Sequence, residues 1–599
     1  MNKKKKLIIN ISGLVVILIL SLFVLKFIID GSYRKQLPEY PDFQNISKLL
    51  QEQISDAGRK AYNNPSANNL GSLGMVYNSC SHYEKAVQCY QLAVKRNSSK
   101  WIWSYYLGYL SLEMGESNAA IENFKNVLKK DPKNYLALFY SAEAYQNLGL
   151  SVNAENIFKK LAVSDNSDFI KIDTTRENDF PIQTYAMFRL ARIYVNSSRP
   201  DSAETTLKEI IENQITFGPA YRLLGDVYTR EGNLLLGNKY TIRANDLVEY
   251  TPPADMLTDK LALMSRSDTY LLKQIDDAVR SLNFNWALKL FDHALKYIPD
   301  NKFLLSKALF GYFNLGFDKN ALPYLDQHLK YFSDDFVELV LFATILYDKG
   351  FHSQAMNYFN QAKKLQPENS RLVLWLSDRE LINDAGILLN EQLKKDPENV
   401  TILSDAVRMY SHLGDKEKTL TYFTRLKRIL PSGPEVKKLA GELEENKGNL
   451  KEALSIYEEA IKSDPKNLFI IKHLVTIYLR DRMWGKLINH YRLALDYYPN
   501  EPFLLEGLGR ILITCPDTTF RNISEGRENS ERAFINFKTP FPAKLSAGRN
   551  LATAYAILGD KKNATRYITI TIDMAGKANL SQEYIPYFDL LRKQFNIAD

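Results

Sequence analysis

The sequence predicts an all-α solenoid: about 12–13 helix-turn-helix repeats in two blocks, with an N-terminal transmembrane helix ahead of them. Three observations lead there: a 34-residue unit, its recurrence in register, and a long uncharged run near the start. The unit is clearest at Trp101–Asn134. Gly115 breaks a first apolar run. Ala120, Phe124 and Val127 then fall on one face of a second, at spacings of four and three. Asp131-Pro132 ends it, because a proline ring cannot continue a helix. Two such helices cannot bury both apolar faces alone and require neighbours of the same kind.

The frame starts again at Ala67, Trp101, Tyr135, Thr184, Gly218, Asp268, Lys302 and Phe336. It slips at Ser370 and resumes at Val400, Pro434 and Leu468. Slot eight is small at Gly74, Gly108, Ala142, Ala191, Gly225, Ala343 and Gly441. Slot eleven is tyrosine at Tyr77, Tyr145, Tyr194, Tyr228, Tyr312, Tyr410 and Tyr478. Slot twenty is alanine from Ala86 to Ala453, and proline closes units from Pro132 to Pro499. Small slots let paired helices approach, and aromatic slots fill the space between repeats. The unit at 370–399 is four residues short, so its helices must be trimmed.

This pattern resembles the tetratricopeptide repeat. The resemblance implies a concave groove lined by the first helix of each unit at slots two, five, nine and twelve. In the first block these include Tyr105, Tyr109, Phe139, Phe188, Arg192 and Arg222. Aromatic and arginine side chains are common interface anchors, and such a groove suits an extended peptide or a partner helix. The same aromatics could instead pack between helices.

The remaining order of the chain follows from its interruptions. Residues 1–6 are a basic tail, and 7–29 are a transmembrane signal anchor. Leu7–Leu25 run for 19 residues without a charge and end in no small-residue cleavage site. The lysines at 3–6 then keep the N-terminus cytoplasmic. Residues 30–64 read as a spacer with a lead-in helix, and 65–251 as the first repeat block. Thr251-Pro252-Pro253 stops a helix, so 252–267 read as a hinge segment. Residues 268–501 form the second block, and 502–599 hold degenerate repeats and capping helices. The polar insertion 171–180 reads as a loop between repeats.

Composition excludes several functions. A chain of 599 residues is too long for one globular core, whereas a solenoid has no such limit. Net charge is +8, and Lys3 to Lys6 supply half of it. The remainder is no footprint for nucleic acid. Three cysteines make no disulfide framework, and no Cys-x-x-Cys-His motif attaches haem. Cys80, Cys89 and His82 are too few ligands for a metal site. The 7 histidines make no i, i+4 pair, and no phosphate-cradling glycine loop occurs. No catalytic, cofactor or metal site is therefore expected, and the chain reads as a non-enzyme.

The order of anchor, repeats, TPPADMLTDKLALMSRS (251–267), further repeats and LITCPDTTFRNISEGRENSERAF (512–534) resembles bacterial cell-envelope tetratricopeptide proteins. Members of that group are often associated with c-type cytochrome domains. The resemblance implies a scaffold in the inner membrane, single-pass, with its body in the periplasm and with other envelope proteins as partners. An assembly factor holding an unfolded client, such as an apocytochrome or outer-membrane component, is the alternative.

Overall fold

The computed structural model describes residues 20–597, apart from 23, 45, 165–175, 177–178, 246, 248, 537 and 578–579. The described residues form helices joined by short turns, with no strand among them. Helix starts follow the sequence frame closely. First helices begin at Ala67, Trp101, Tyr135, Ile182, Gly218, Asp268, Lys302, Phe336, Arg371, Val400, Pro434 and Leu468.

Local chemistry sets those starts. The residue before many of the first helices caps them: Ser66 accepts from the amide of Asn69, Asn134 from Ala137, Asn301 from Leu304 and Asn467 from Ile470. In the Asp-Pro-x-Asn closures the aspartate locks the cap, as Asp131 accepts from Asn134 Nδ2 at 3.1 Å. Each first helix ends on a left-handed residue. It is glycine at Gly115, Gly149, Gly232, Gly316, Gly350, Gly414 and Gly448. Here glycine satisfies the last carbonyls without a Cβ penalty.

The slots behave as expected. A Cβ on Gly108 would come within 3.1 Å of the Phe124 ring, so a small slot eight lets the two helices of that unit pack closely. The slot-eleven tyrosines bridge successive repeats: Tyr228 donates to Glu204 and Tyr478 to Glu458, each at 2.8 Å. The shortened unit loses length only in its first helix, Arg371–Ser377. Its second, Ile382–Lys395, keeps all 14 residues.

The chain divides into two compact units, Met1–Ala244 with Val248–Leu322, and Asn245–Leu247 with Pro323–Asp599. Within each, second helices pack on the following first helices.

One expectation changes. No helix among the described residues is long and apolar enough to cross a membrane, which overturns the single-pass inner-membrane anchor and the periplasmic placement drawn from it. Most of the run at 7–25 lies outside the described residues. Within the spacer, Asp30, Tyr33, Gln36 and Glu39 contact the first repeat. Asp30 pairs with Arg96 at 2.6 Å, and Arg96 lies over the Tyr33 ring at 4.9 Å. Lys85 and Gln88 donate to the carbonyls of Glu39 and Gln36, each at 2.8 Å. The segment expected to be a hinge, 252–267, makes hydrogen bonds within the first unit. The insertion at 171–180 lies outside the described residues except for Arg176, Asp179 and Phe180.

Candidate functional site

The first unit is marked by what lies on its first helices. Thr251 to Asp255 run without regular secondary structure, Asp255 itself extended, and a short helix, Met256–Ala262, follows. This strap crosses helices that precede it by 150 residues or more. Two prolines favour its non-helical entry, because each fixes φ and restricts the residue before it.

Asp255 is the centre of the strap. It is 2 % exposed. One carboxylate oxygen caps the strap helix, accepting from the amides of Leu257 at 2.9 Å and Thr258 at 3.4 Å. The other accepts from Tyr105 Oη at 2.7 Å. Burial pushes the Asp255 carboxyl above its ordinary range, against these hydrogen bonds and Arg176. Burial, with Asp255 adding to it, raises the phenol of Tyr105 in turn, so the tyrosine remains the donor.

Further contacts hold the strap backbone. Tyr106 Oη donates to Leu257 O at 2.9 Å, and Gln53 Nε2 to Met264 O at 2.6 Å. Ser265 Oγ donates to Ser79 O at 3.3 Å. Asp259 pairs with Arg176, whose guanidinium lies over the Trp286 ring at 4.9 Å. Leu261, 2 % exposed, joins the core of the first repeats. Beside the strap, a cavity of about 530 Å³ is lined by Tyr109, Glu113, Tyr270, Lys273, Arg176 and Trp286 among others.

The residues expected to line the groove therefore divide. Tyr105 lies beneath the strap and Tyr109 faces the cavity. Phe139 has no exposure and packs edge-on against Phe158 at 5.6 Å. Phe188 is buried, stacked on Tyr250 at 5.7 Å. Arg192 and Arg222 are exposed. Sequence reasoning did not single out Asp255, Gln53, Tyr106 or Arg176. The Pro-Pro-x-Asp order was the available signal, and it points to a helix stop and a hinge without showing what the segment contacts.

In the second unit the same face is charged. Arg408 pairs with Glu435 and stands 3.5 Å from the Asp405 carboxylate. Glu445 accepts from His473 Nδ1 at 2.6 Å, and Lys438 lies over Phe469 at 4.2 Å. Asp405 is 2 % exposed, and burial pushes its carboxyl up to about 6, with Arg408 opposing and Glu435 and Asp378 adding to the rise. An unfolded aspartate titrates near about 3.9, so the folded chain holds the extra proton between these values. Stability contributed by this proton is full below the unfolded value, falls as pH rises to about 6, and stays lost above. Asp405→Asn is therefore expected to stabilise the protein at pH 7.5 by about 1–2 kcal/mol and to have little effect at pH 4. The urea midpoint at the two pH values measures it, and equal shifts at both would contradict it.

Models of the tetratricopeptide repeat match residues 110–169, 67–100, 439–467 and 185–214. Among curated proteins, DnaJ homolog subfamily C member 3 of Bos taurus is 20 % identical over 62 % of this chain and 70 % of its own length. A TPR repeat-containing protein of Methanocaldococcus jannaschii is 21 % identical over 71 % of this chain and 74 % of its own. Among solved structures, yeast Tom70 covers 88 % of this chain and 96 % of its own at 16 % identity, with a TM-score of 0.34. Tetratricopeptide-repeat models thus match four segments of a chain whose described helices pair at a 34-residue step.

Proposed function

We propose that this chain is a scaffold for protein–protein interactions, with no catalytic activity of its own. In the first unit, partners dock on the face carried by the first helices. One observation carries the reading: Arg192 and Arg222 stand exposed on that face, while Phe188 and Leu224 beside them are buried. A guanidinium so placed can bind carboxylates and aromatic faces of a partner without disturbing the core. A stack of repeats supplies a long surface, and a scaffold needs contact area more than a pocket.

Arg192→Ala with Arg222→Ala is expected to weaken partner capture at least tenfold, as each such anchor contributes about 1–3 kcal/mol. The melting temperature should stay nearly unchanged, because both side chains are exposed. Quantitative crosslinking and pull-down with the full chain, wild type against variant, measures the first, and calorimetry the second. Wild-type capture by the variant would place the docking surface elsewhere.

A further inference from the structure

We propose that the cavity beside the strap is a docking pocket for one basic side chain, arginine or lysine, carried by a partner segment that lies along the first helices. The proposal rests on the reading of this face as a protein-docking surface and names the partner chemistry that one part of it takes. Tyr109, which lines the cavity, stands in slot nine of its unit, the slot that Arg192 fills in a later one. The pocket thus lies on the same series of helix faces that carries the exposed arginines.

The walls of the cavity carry the first part of the argument. Its volume of about 530 Å³ falls within the range of about 300–1,000 Å³ usual for ligand sites. Tyr109 meets Tyr140 edge-on at 5.2 Å, and Tyr83, Tyr270 and Trp286 stand with them in the lining. Aromatic faces attract cations through their quadrupole. Two lining rings already hold guanidiniums of this chain: Arg176 lies over Trp286 at 4.9 Å and Arg189 over Tyr250 at 5.0 Å. Tyr140 supplies the observation that points to a ligand. It is 4 % exposed, it lines the cavity, and its phenol has no hydrogen-bond partner among the described residues. A buried hydroxyl left in that way is unfavourable, and an N–H of a guanidinium or ammonium can donate to it.

The charge around the cavity selects a cation. Two of the lining cations are engaged in ion pairs: Arg176 with Asp259, and Arg280 with Asp277 at 2.9 Å. Among the described lining residues, Glu113 and Glu249 make no ion pair, and Lys273 is the cation left against them. Glu113 stands beside two of the tyrosines. Burial raises the phenols of Tyr109 and Tyr270, and the Glu113 carboxylate adds to both rises. Three helices, Ala67–Ser79, Trp101–Glu113 and Asp268–Arg280, bring their last turns to the cavity through Asn78, Glu113 and Arg280. A helix C-terminus carries partial negative charge and favours a cation nearby. An anionic ligand would meet these three ends and two carboxylates with Lys273 alone to hold it.

The test uses the full chain and saturation-transfer NMR with the peptide acetyl-Gly-Ser-Arg-Ser-Gly-amide, which carries one guanidinium. Wild type is expected to bind it. Citrulline in place of the arginine, an uncharged isostere, should weaken binding by about tenfold or more. Glu113→Gln with Glu249→Gln should weaken the arginine peptide about fivefold, and Tyr140→Phe about threefold. Melting temperatures should hold, because both glutamates are exposed and phenylalanine keeps the Tyr140 ring packing. Lys273→Gln should tighten the peptide about twofold by removing a competing charge. Equal binding of the arginine and citrulline peptides would overturn the proposal. So would wild-type affinity in the double glutamine variant, or tighter binding of a peptide with glutamate at the central position. Putrescine binding about tenfold more tightly than the peptide would make the pocket a small-amine site and overturn it as well. Should Tyr140→Phe not fold, the double glutamine variant decides, since its side chains are exposed. The peptide is measured without any partner, so its failure to bind sinks this pocket and leaves the scaffold reading to the Arg192/Arg222 variant.

Discussion

Phe124→Ala is expected to lower the stability of the first unit by about 3–5 kcal/mol. The ring has no exposure. It meets Tyr105 edge-on at 5.8 Å and stacks on Tyr140 at 6.1 Å. Gly108 lies close enough that its missing Cβ is what admits the ring. Truncation removes the transfer energy of the ring and leaves a cavity that rigid helices fill poorly. The damage should spread, because Tyr105 carries the strap through Asp255. In a repeat array, stability is a sum of units and their interfaces, so weakening one interface uncouples its neighbours. Urea unfolding of the full chain followed by circular dichroism should show an earlier transition, and hydrogen exchange should rise first at 101–147. A midpoint within error of wild type would mean that the ring is not a packing keystone.

Trp375→Ala is expected to cost about 3–5 kcal/mol in the second unit. The helix that carries it, Arg371–Ser377, has only 7 residues, too few to hold itself by backbone bonds alone. Trp375 supplies the missing contact. It is 4 % exposed, stacks on Phe359 at 4.6 Å and meets Tyr347 edge-on at 5.5 Å. Its Nε1 donates to Thr344 Oγ1 at 3.1 Å, and Arg379 lies over the ring at 4.5 Å. Trp375→Phe keeps the stack and loses the hydrogen bond, so a smaller loss of about 1–2 kcal/mol is expected. Urea midpoints of the two variants give the comparison. Equal losses would assign the effect to the hydrogen bond.

The repeat architecture was legible in the residues because its causes are local. Helix starts at Trp101, Tyr135, Gly218 and Lys302 fell where the 34-residue frame put them. Caps such as Asn134, left-handed glycines such as Gly115 and small slots such as Gly108 act within one unit or between adjacent ones. Periodicity repeats those causes in register. Slot position was less decisive for the candidate groove. It places a side chain on a face of a helix and does not say what covers that face, so Phe139 and Phe188 proved buried while Arg192 and Arg222 remained exposed.

Tertiary structure alone decided the strap and the N-terminal packing. Asp255 and Tyr105 meet across 150 residues, Met264 and Gln53 across 211, and Asp30 and Arg96 across 66. No sequence period links such pairs. A proline pair reads as a break, whether the chain beyond it swings free or lies down on earlier repeats. What distinguishes the two is whether donors placed by the folded repeats can meet the Asp255 carboxylate and the carbonyls of Leu257 and Met264. That is a property of the assembled surface, because unmet polar groups are too unfavourable to bury and met ones hold the segment in place.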